Sequence, residues 1–314
     1  MNSAGQLNTS SANTAFMAMG SEVFARAENL AWQTYVKSVP CDGANLEIDA
    51  IGPSPEVREM TSIQRFGAYR EYARRVAVKP YSADAVEFAR ARVDGDKSGL
   101  IELALKDYLD SVKSFFWKPV VDLLNSNPTC IDGGALLSTT HSYASGGGTW
   151  SNKVTTAFTP AAMATGVQAM VALLLENGAP ASIRPTHLYV NPNLERDAKD
   201  AIGVQRPMPV DNTGVVNATS GVVAAVLGQN WLAGELQLIV EPRSSTTTDW
   251  LLIDCSKPNA KPIIAGMQGA PEPIINGPGT NSQTYFDRDV YQYTVRARAA
   301  LSGFMPHVIY GRLG

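Results

Sequence analysis

Ser98-Gly-Leu-Ile-Glu-Leu-Ala-Leu-Lys-Asp-Tyr-Leu-Asp-Ser-Val-Lys-Ser-Phe-Phe-Trp117 is the stretch whose reading decides the fold. Ile101, Leu105, Tyr108, Val112 and Phe116 recur at helical spacing while Glu102, Lys106, Asp110 and Lys113 fall on the other side, so one face must be buried. Asp96 and Ser98 supply start signals, and the pattern runs to about Asn125, a rod of roughly 40 Å. Pro119 is expected to kink this helix or break its last turns, because it removes a backbone donor and crowds the preceding turn.

Immediately upstream, Tyr69 to Lys79 and Ala85 to Val93 read as two β-strands joined by Pro80-Tyr-Ser-Ala-Asp84 as a turn. A lone hairpin of that length is marginal in water and needs a partner surface. Between Arg65 and Arg92 the cations Arg65, Arg70, Arg74, Arg75, Lys79, Arg90 and Arg92 outnumber the acids Glu71, Asp84 and Glu87, on a chain whose net charge is −3. A charged, solvated edge hairpin is one reading. The other is an arm lying on an oppositely charged neighbouring subunit, with Arg65, Tyr69, Arg70, Tyr72, Arg74, Arg75, Lys79, Phe88, Arg90 and Arg92 as its contact residues. On that reading, replacing Arg74 and Arg75 with Glu impairs assembly while subunit folding survives.

Further out, the uncharged Met1–Gly20 stretch lacks the basic flank and compact apolar centre of a signal peptide. It is expected to be a loosely ordered arm on a cytosolic product. Ser21-Glu22 then caps a short helix carrying Val23, Phe24, Ala27, Leu30 and Ala31, and Cys41 to Pro55 is turn-rich. Beyond the long helix, Pro128 to Thr159 is dominated by Gly, Ser and Thr and reads as a long loop. Thr159-Pro160 opens a helix with Met163, Val167, Met170, Val171, Leu174 and Leu175 on one stripe, stopped at Asn177-Gly178. His187 to Val190 is a short buried strand, and Asn193 caps a helix with Leu194, Ala198, Ala201 and Ile202 facing inward. Glu235 to Glu241 and Trp250 to Asp254 are further strands, with Lys261 to Ala265 a third. At the end, Tyr291, Tyr293, Val295, Ala297, Ala299 and Leu301 alternate with Gln292, Thr294, Arg296 and Arg298, placing a long strand beside the long helix.

At 314 residues the chain exceeds the usual size of a single core, so two subdomains or one core with long excursions are expected. No apolar run reaches the roughly 20 residues needed to cross a bilayer. The balance of 26 basic and 29 acidic residues argues against electrostatic binding of nucleic acid by the whole protein. Cys41, Cys130 and Cys255 form no CxxC pair and read as reduced packing residues, with neither a disulfide framework nor a zinc site.

Chemistry is not legible in the motifs. There is no Walker lysine loop, GxSxG elbow, HExxH or GxGxxG after a strand, and Gly277-Pro-Gly-Thr-Asn-Ser282 loses a donor to its proline. Ser138-Thr-Thr-His141 sets a hydroxyl near an imidazole, but a loop or core histidine is the better reading. Asp94-Gly-Asp96 is better explained by helix capping than by calcium. No catalytic, cofactor or metal residue is assigned.

The order of arm, basic hairpin, long helix, mixed domain and returning strand resembles the major capsid proteins of tailed bacteriophages, an α+β Hong Kong 97-type fold, and within them the phage Mu-like major head subunit family. The resemblance is carried by Ile51-Gly-Pro-Ser-Pro-Glu-Val-Arg-Glu-Met60 leading into Arg65, Val86 to Leu100 with Asp94-Gly-Asp-Lys-Ser-Gly99, and Asp132-Gly with Ser138-Thr-Thr-His141. Leu188-Tyr-Val-Asn-Pro192 and Tyr293 to Gly311 extend it, so that it covers about Leu46 to Gly311. It implies an N-terminal arm over 1–49, an extended β-hairpin loop over 50–94, a peripheral domain with spine helix over 95–180, an axial domain over 181–283 and a return strand over 284–314. It further implies self-assembly into hexamers and pentamers of an icosahedral virion shell, built in the host cytoplasm. Scaffolding protein, portal, a possible decoration protein and weakly held double-stranded DNA would be the partners, with no cofactor and no membrane. An encapsulin-like compartment shares the fold but encloses cargo protein. A soluble α/β hydrolase using His141 and a nearby serine, and a mostly β tail tube protein, are the readings from other classes.

Overall fold

The chain begins as a helix. In the computed structural model, which describes residues 3–25, 30–51, 71–94, 99–142, 148–175, 179–203, 205–207, 227–229, 232–276 and 287–314, α1 spans Ser3–Ala25 where a loose arm was expected. Its composition gives it little amphipathic pattern, and tertiary packing holds it. Phe16 is fully buried, 5.1 Å from the Tyr293 ring, and Met19 and Val23 join the same cluster. Ser21 therefore lies inside the helix, its hydroxyl donating to the Ala18 carbonyl instead of capping a later one. A single turn, α2 (Ala31–Thr34), follows and leads into β1 (Val36–Pro40).

The strands around the basic stretch pair differently from the expected hairpin. β2 (Asn45–Ile51) and β3 (Glu71–Ala77) form an antiparallel ribbon, Asn45 opposite Ala77 and Ile51 opposite Glu71. β4 (Lys79–Ser82) and β5 (Val86–Ala89) both pair with the C-terminal long strand, Tyr81 opposite Ala297 and Phe88 opposite Tyr291. The described parts of the expected strands Tyr69–Lys79 and Ala85–Val93 are thus not partners of each other. The reason is burial: the alternation of Leu46 and Ile48 gives β3 a partner with an apolar face, while Phe88 meets Tyr293 of the long strand and Tyr81 meets Phe116. Pro80 lacks a donor and is tolerated in the short β4.

After a short α3 (Arg90–Asp94), the helix at the centre of the sequence forms in two pieces, α4 (Leu100–Val112) and α5 (Trp117–Asn125), parted by a turn at 113–116. The break falls before Pro119 rather than after it. Proline is easily accommodated in the first turn of a helix, where its missing N–H goes unused, and Pro119 is the third residue of α5. Asp96 and Ser98 lie outside the described residues, and Gly99 holds the N-cap with φ 72°. Ile101, Leu105 and Leu109 face Tyr291, Tyr293 and Val295, so the long strand does lie against this helix.

The described residues of the loop region that follows have little regular structure beyond a two-residue ribbon of β6 (His141–Ser142) and β7 (Thr149–Trp150). α6 (Pro160–Val171) is capped by the Thr159 hydroxyl, which accepts from the Ala162 amide at 3.0 Å, and ends at Ala172, short of the expected stop. Met163, Val167 and Met170 are buried, whereas Val171 and Leu174 are exposed. β8 (His187–Val190) is wholly buried, and Asn191, not Asn193, caps the turn into α7 (Glu195–Ile202) by accepting from the Asn193 amide. A small ribbon of β9 (Gln205–Pro207) and β10 (Leu227–Gln229) precedes β11 (Gln237–Val240), β12 (Trp250–Ile253), β13 (Ile263–Met267), β14 (Glu272–Asn276), β15 (Val290–Gly303) and β16 (Ile309–Arg312).

Two sheets organise these strands. One has the order β11-β8-β12-β16 and is covered by α6 and α7 through Met163, Val167, Ala198 and Ala201. The other runs β1-β13-β15-β14, with β4 and β5 on the opposite edge of β15. Tyr189, Leu251 and Ile253 of the first sheet share a core with Ile263, Ala265 and Ala297 of the second and with Val120 and Leu124 of α5. Cys41 and Cys130 are buried and unbridged. Gly277–Ser282 lies outside the described residues.

Candidate subunit interface

The β2–β3 ribbon is the element most in need of a second surface. Its root is fixed because Leu46, Ile48 and Val76 pack on Ile264, Ala300 and Phe304. The opposite side carries Glu47 and Arg75, joined at 3.0 Å and 60% and 77% exposed. So exposed a pair adds little stability, in the range of about 0–1 kcal/mol. Its charges are free to meet another molecule. Two strands alone are marginal in water, so any length beyond this anchored root depends on neighbours.

The ten residues expected at the contact separate by position. Arg65, Tyr69 and Arg70 lie outside the described residues, and Tyr72 is in β3. Arg74 turns toward its own chain, its guanidinium donating to the Thr129 carbonyl and, at 2.8 Å, to that of Cys130. Arg75 and Lys79 are exposed. Phe88 is half-buried against Tyr293 at 6.1 Å and belongs to the interior. Arg90 is 3.7 Å from Asp289 at the surface, and Arg92 is exposed. The structure thus keeps Arg75, Lys79, Arg90 and Arg92 on the outside, while Arg74 and Phe88 already have intramolecular work.

Exposed apolar residues add to the surface and were missed by pattern. Leu100 and Leu103 are 60% and 55% exposed on the outer side of α4. They interrupt the charged face of Glu102, Lys106 and Asp110, and that interruption was the available signal. Arg296 and Arg298 are exposed on β15, whose alternation did predict them on the wet face.

The hydrolase reading fails on geometry. His141 is buried with Nδ1 2.9 Å from Asp132 Oδ2 and Nε2 3.1 Å from Asn152 Oδ1, while the Ser138 hydroxyl accepts from the Thr140 amide. Both ring nitrogens are occupied, leaving no base for a serine. Burial raises the Asp132 carboxyl, but hydrogen bonds from His141 and the Gly134 amide outweigh it and hold the group below the ordinary range. Burial pushes the Cys255 thiol up to about 11, so it is no ready nucleophile. Among the described residues no cluster of His, Cys, Asp or Glu could hold a metal, and no helix is long and apolar enough to cross a membrane.

Comparison with known proteins agrees with this architecture. A family model described as phage capsid protein matches residues 71–303. No curated protein matches the sequence. Among solved structures, that titled Mycobacterium phage Bobi is similar with a TM-score of 0.52 at 10% identity, covering 92% of this chain and 93% of that one. Mycobacterium phage Adephagia gives 0.50 at 11% identity over 92% and 93%. The capsid of bacteriophage JBD30 decorated with minor capsid protein trimers gives 0.50 at 14% identity over 68% and 90%. At such identities these likenesses speak for the Hong Kong 97-type fold. With a two-stranded ribbon standing off a helix-backed sheet and a family match over most of its length, the chain belongs to the phage capsid protein family and its role is structural.

Proposed function

We propose that the protein is the major head subunit of a tailed phage or prophage of the Mu-like group, assembling into hexamers and pentamers of an icosahedral shell around double-stranded DNA. The observation that carries this is the β2–β3 ribbon, anchored at its root and presenting Glu47 and Arg75 outward, in a chain of the capsid family. A ribbon of this kind gains its stability from a neighbouring copy, and many weak contacts in a closed shell add through multivalency. On this reading residues 95–180, with α4 and α5 as the spine, form the peripheral domain, 181–283 form the axial domain and 284–314 return to the periphery. Scaffolding protein, portal and decoration protein act as assembly partners, and assembly takes place in the host cytoplasm. The genome is held weakly, as the net charge of −3 requires.

Negative-stain microscopy of the expressed chain tests the reading, with closed or partly closed shells and capsomer rings as the expected result. Monodisperse particles of one or two chains overturn it. Shells that contain one defined cargo protein in place of nucleic acid, when purified from phage-producing cells, assign it instead to an encapsulin-like compartment.

A further inference from the structure

Asn152 is nearly fully buried, and its amide orientation is fixed by four partners. Its Nδ2 donates to the carbonyls of Leu136 at 2.7 Å and Pro306 at 2.8 Å, so its Oδ1 faces the Ser138 amide at 2.8 Å and His141 Nε2 at 3.1 Å. Flipping the amide would set two donors against each other. His141 Nε2 must therefore donate. On the other side, Nδ1 meets Asp132 Oδ2 at 2.9 Å, and Asp132, held below the ordinary carboxylate range, is ionised. A neutral ring with its proton on Nε2 would point a lone pair at that carboxylate. Only the imidazolium satisfies both contacts, and the Trp150 indole stacked 4.4 Å away favours a cation.

The cluster lies on a continuous chain of hydrogen bonds. Arg74, at the root of the ribbon, donates to the Thr129 and Cys130 carbonyls, and the Cys130 amide donates to the Gly134 carbonyl at 2.7 Å. The Gly134 amide donates to Asp132 Oδ1 at 3.0 Å, and Asp132 meets His141. His141 donates to Asn152, whose carbonyl accepts from the amide of Gly311 in β16 at 3.0 Å. We propose that Asp132, His141 and Asn152 form a proton-held clasp tying the ribbon root to the edge of the four-stranded sheet, and that loss of the ring proton opens it. The other groups facing the cluster are Arg74 from β3, His307 from the turn before β16, and Lys257 and Asp254 from the connection after β12, which act on His307. His307, pushed down to about 4 chiefly by burial and then by Lys257, is neutral and supplies no competing charge.

Solid-state 15N spectra of sedimented, histidine-labelled protein read the ring directly, with His141→Gln identifying the signals. Two protonated ring nitrogens at pH 7 are expected, one losing its proton at higher pH. Amide exchange, corrected for its intrinsic pH dependence, is expected to rise about tenfold over residues 129–142 and 73–77 when that proton leaves, the size of one charge-assisted contact. In Asp132→Asn, the ring is neutral at pH 7 and this step disappears. A neutral His141 ring in the native protein at pH 7, or the same exchange step in native and Asp132→Asn protein, overturns the proposal. If the variants fail to fold, the contact of the ring with the stacked Trp150 indole identifies its signals, and the native spectrum decides the proposal.

Discussion

Asp249 is a fully buried carboxylate surrounded by donors. It accepts from the hydroxyls of Ser244 at 2.6 Å, Ser245 at 2.9 Å and Thr246 at 2.5 Å, and from the amides of Thr246 at 2.9 Å and Gly314 at 3.0 Å. Burial raises its pKa, yet these bonds outweigh burial and hold it below the ordinary value. A depressed carboxylate contributes stability that is complete above its unfolded value, about 3.9, and is lost as pH falls through the folded value. Asp249→Asn keeps the shape but turns an amide N–H toward donors, and is expected to cost about 1–3 kcal/mol at pH 7. Urea unfolding at pH 7 and at about pH 3, below the unfolded value, checks this, since the variant should lose less stability than the native protein between the two. Sequence offered a polar connection at Arg243 to Thr248 and nothing more, because five donors converging on one carboxylate have no periodicity to read.

Helix α6 owes its position to a missing side chain. A Cβ at Gly166 would sit 2.8 Å from Tyr310 Cε1 and 2.9 Å from Leu252 Cδ1, so the helix rests directly on β12 and β16. Helix propensity alone favours Gly166→Ala by about 1 kcal/mol, whereas overpacking costs about 1–3 kcal/mol. Both contacts are with side chains held in the core, so packing is expected to win and the variant to melt several degrees lower in calorimetry. The elements that were legible in the sequence share a property with α6. The Met163, Val167, Met170 stripe, the strand at His187 to Val190 and the alternation from Tyr291 to Leu301 each bury their apolar residues against their own chain. α1 was hidden because residues 1–20 carry no charge contrast and its anchor is the packing of Phe16, Met19 and Val23 against the far end of the chain. The pairing of β3 with β2 was hidden because Gly43, Gly52, Pro53 and Pro55 draw attention to turns on either side of Leu46 and Ile48. Of the contact surface, the exposed cations were legible as charge, while the inward turn of Arg74 follows from carbonyls 55 and 56 residues away.

At the scale of the whole molecule, Arg74 and Arg75 stand side by side in sequence and on opposite faces of the ribbon, so they belong to different tasks. Arg74 holds the Thr129 and Cys130 carbonyls, whereas Arg75 reaches Glu47 at the surface. Arg74→Glu sets a carboxylate against carbonyl oxygens and is expected to destabilise the subunit itself by about 2 kcal/mol, visible as a lower denaturant midpoint in the dissociated protein. Arg75→Glu removes an exposed pair worth little within the chain, and its denaturant midpoint is expected to stay within the range of about 0.5 kcal/mol. If the outer face of the ribbon lies on a neighbouring copy, the same substitution places like charges at a repeated contact, and every copy in a shell carries it. A penalty of even ~1 kcal/mol per contact is then multiplied by the number of copies. Light scattering and microscopy should therefore show Arg75→Glu subunits that fold normally but assemble slowly or not at all, with assembly partly restored by raised salt, which screens the repulsion. Normal shells from Arg75→Glu would assign the ribbon's outer face to solvent and remove it from the interface.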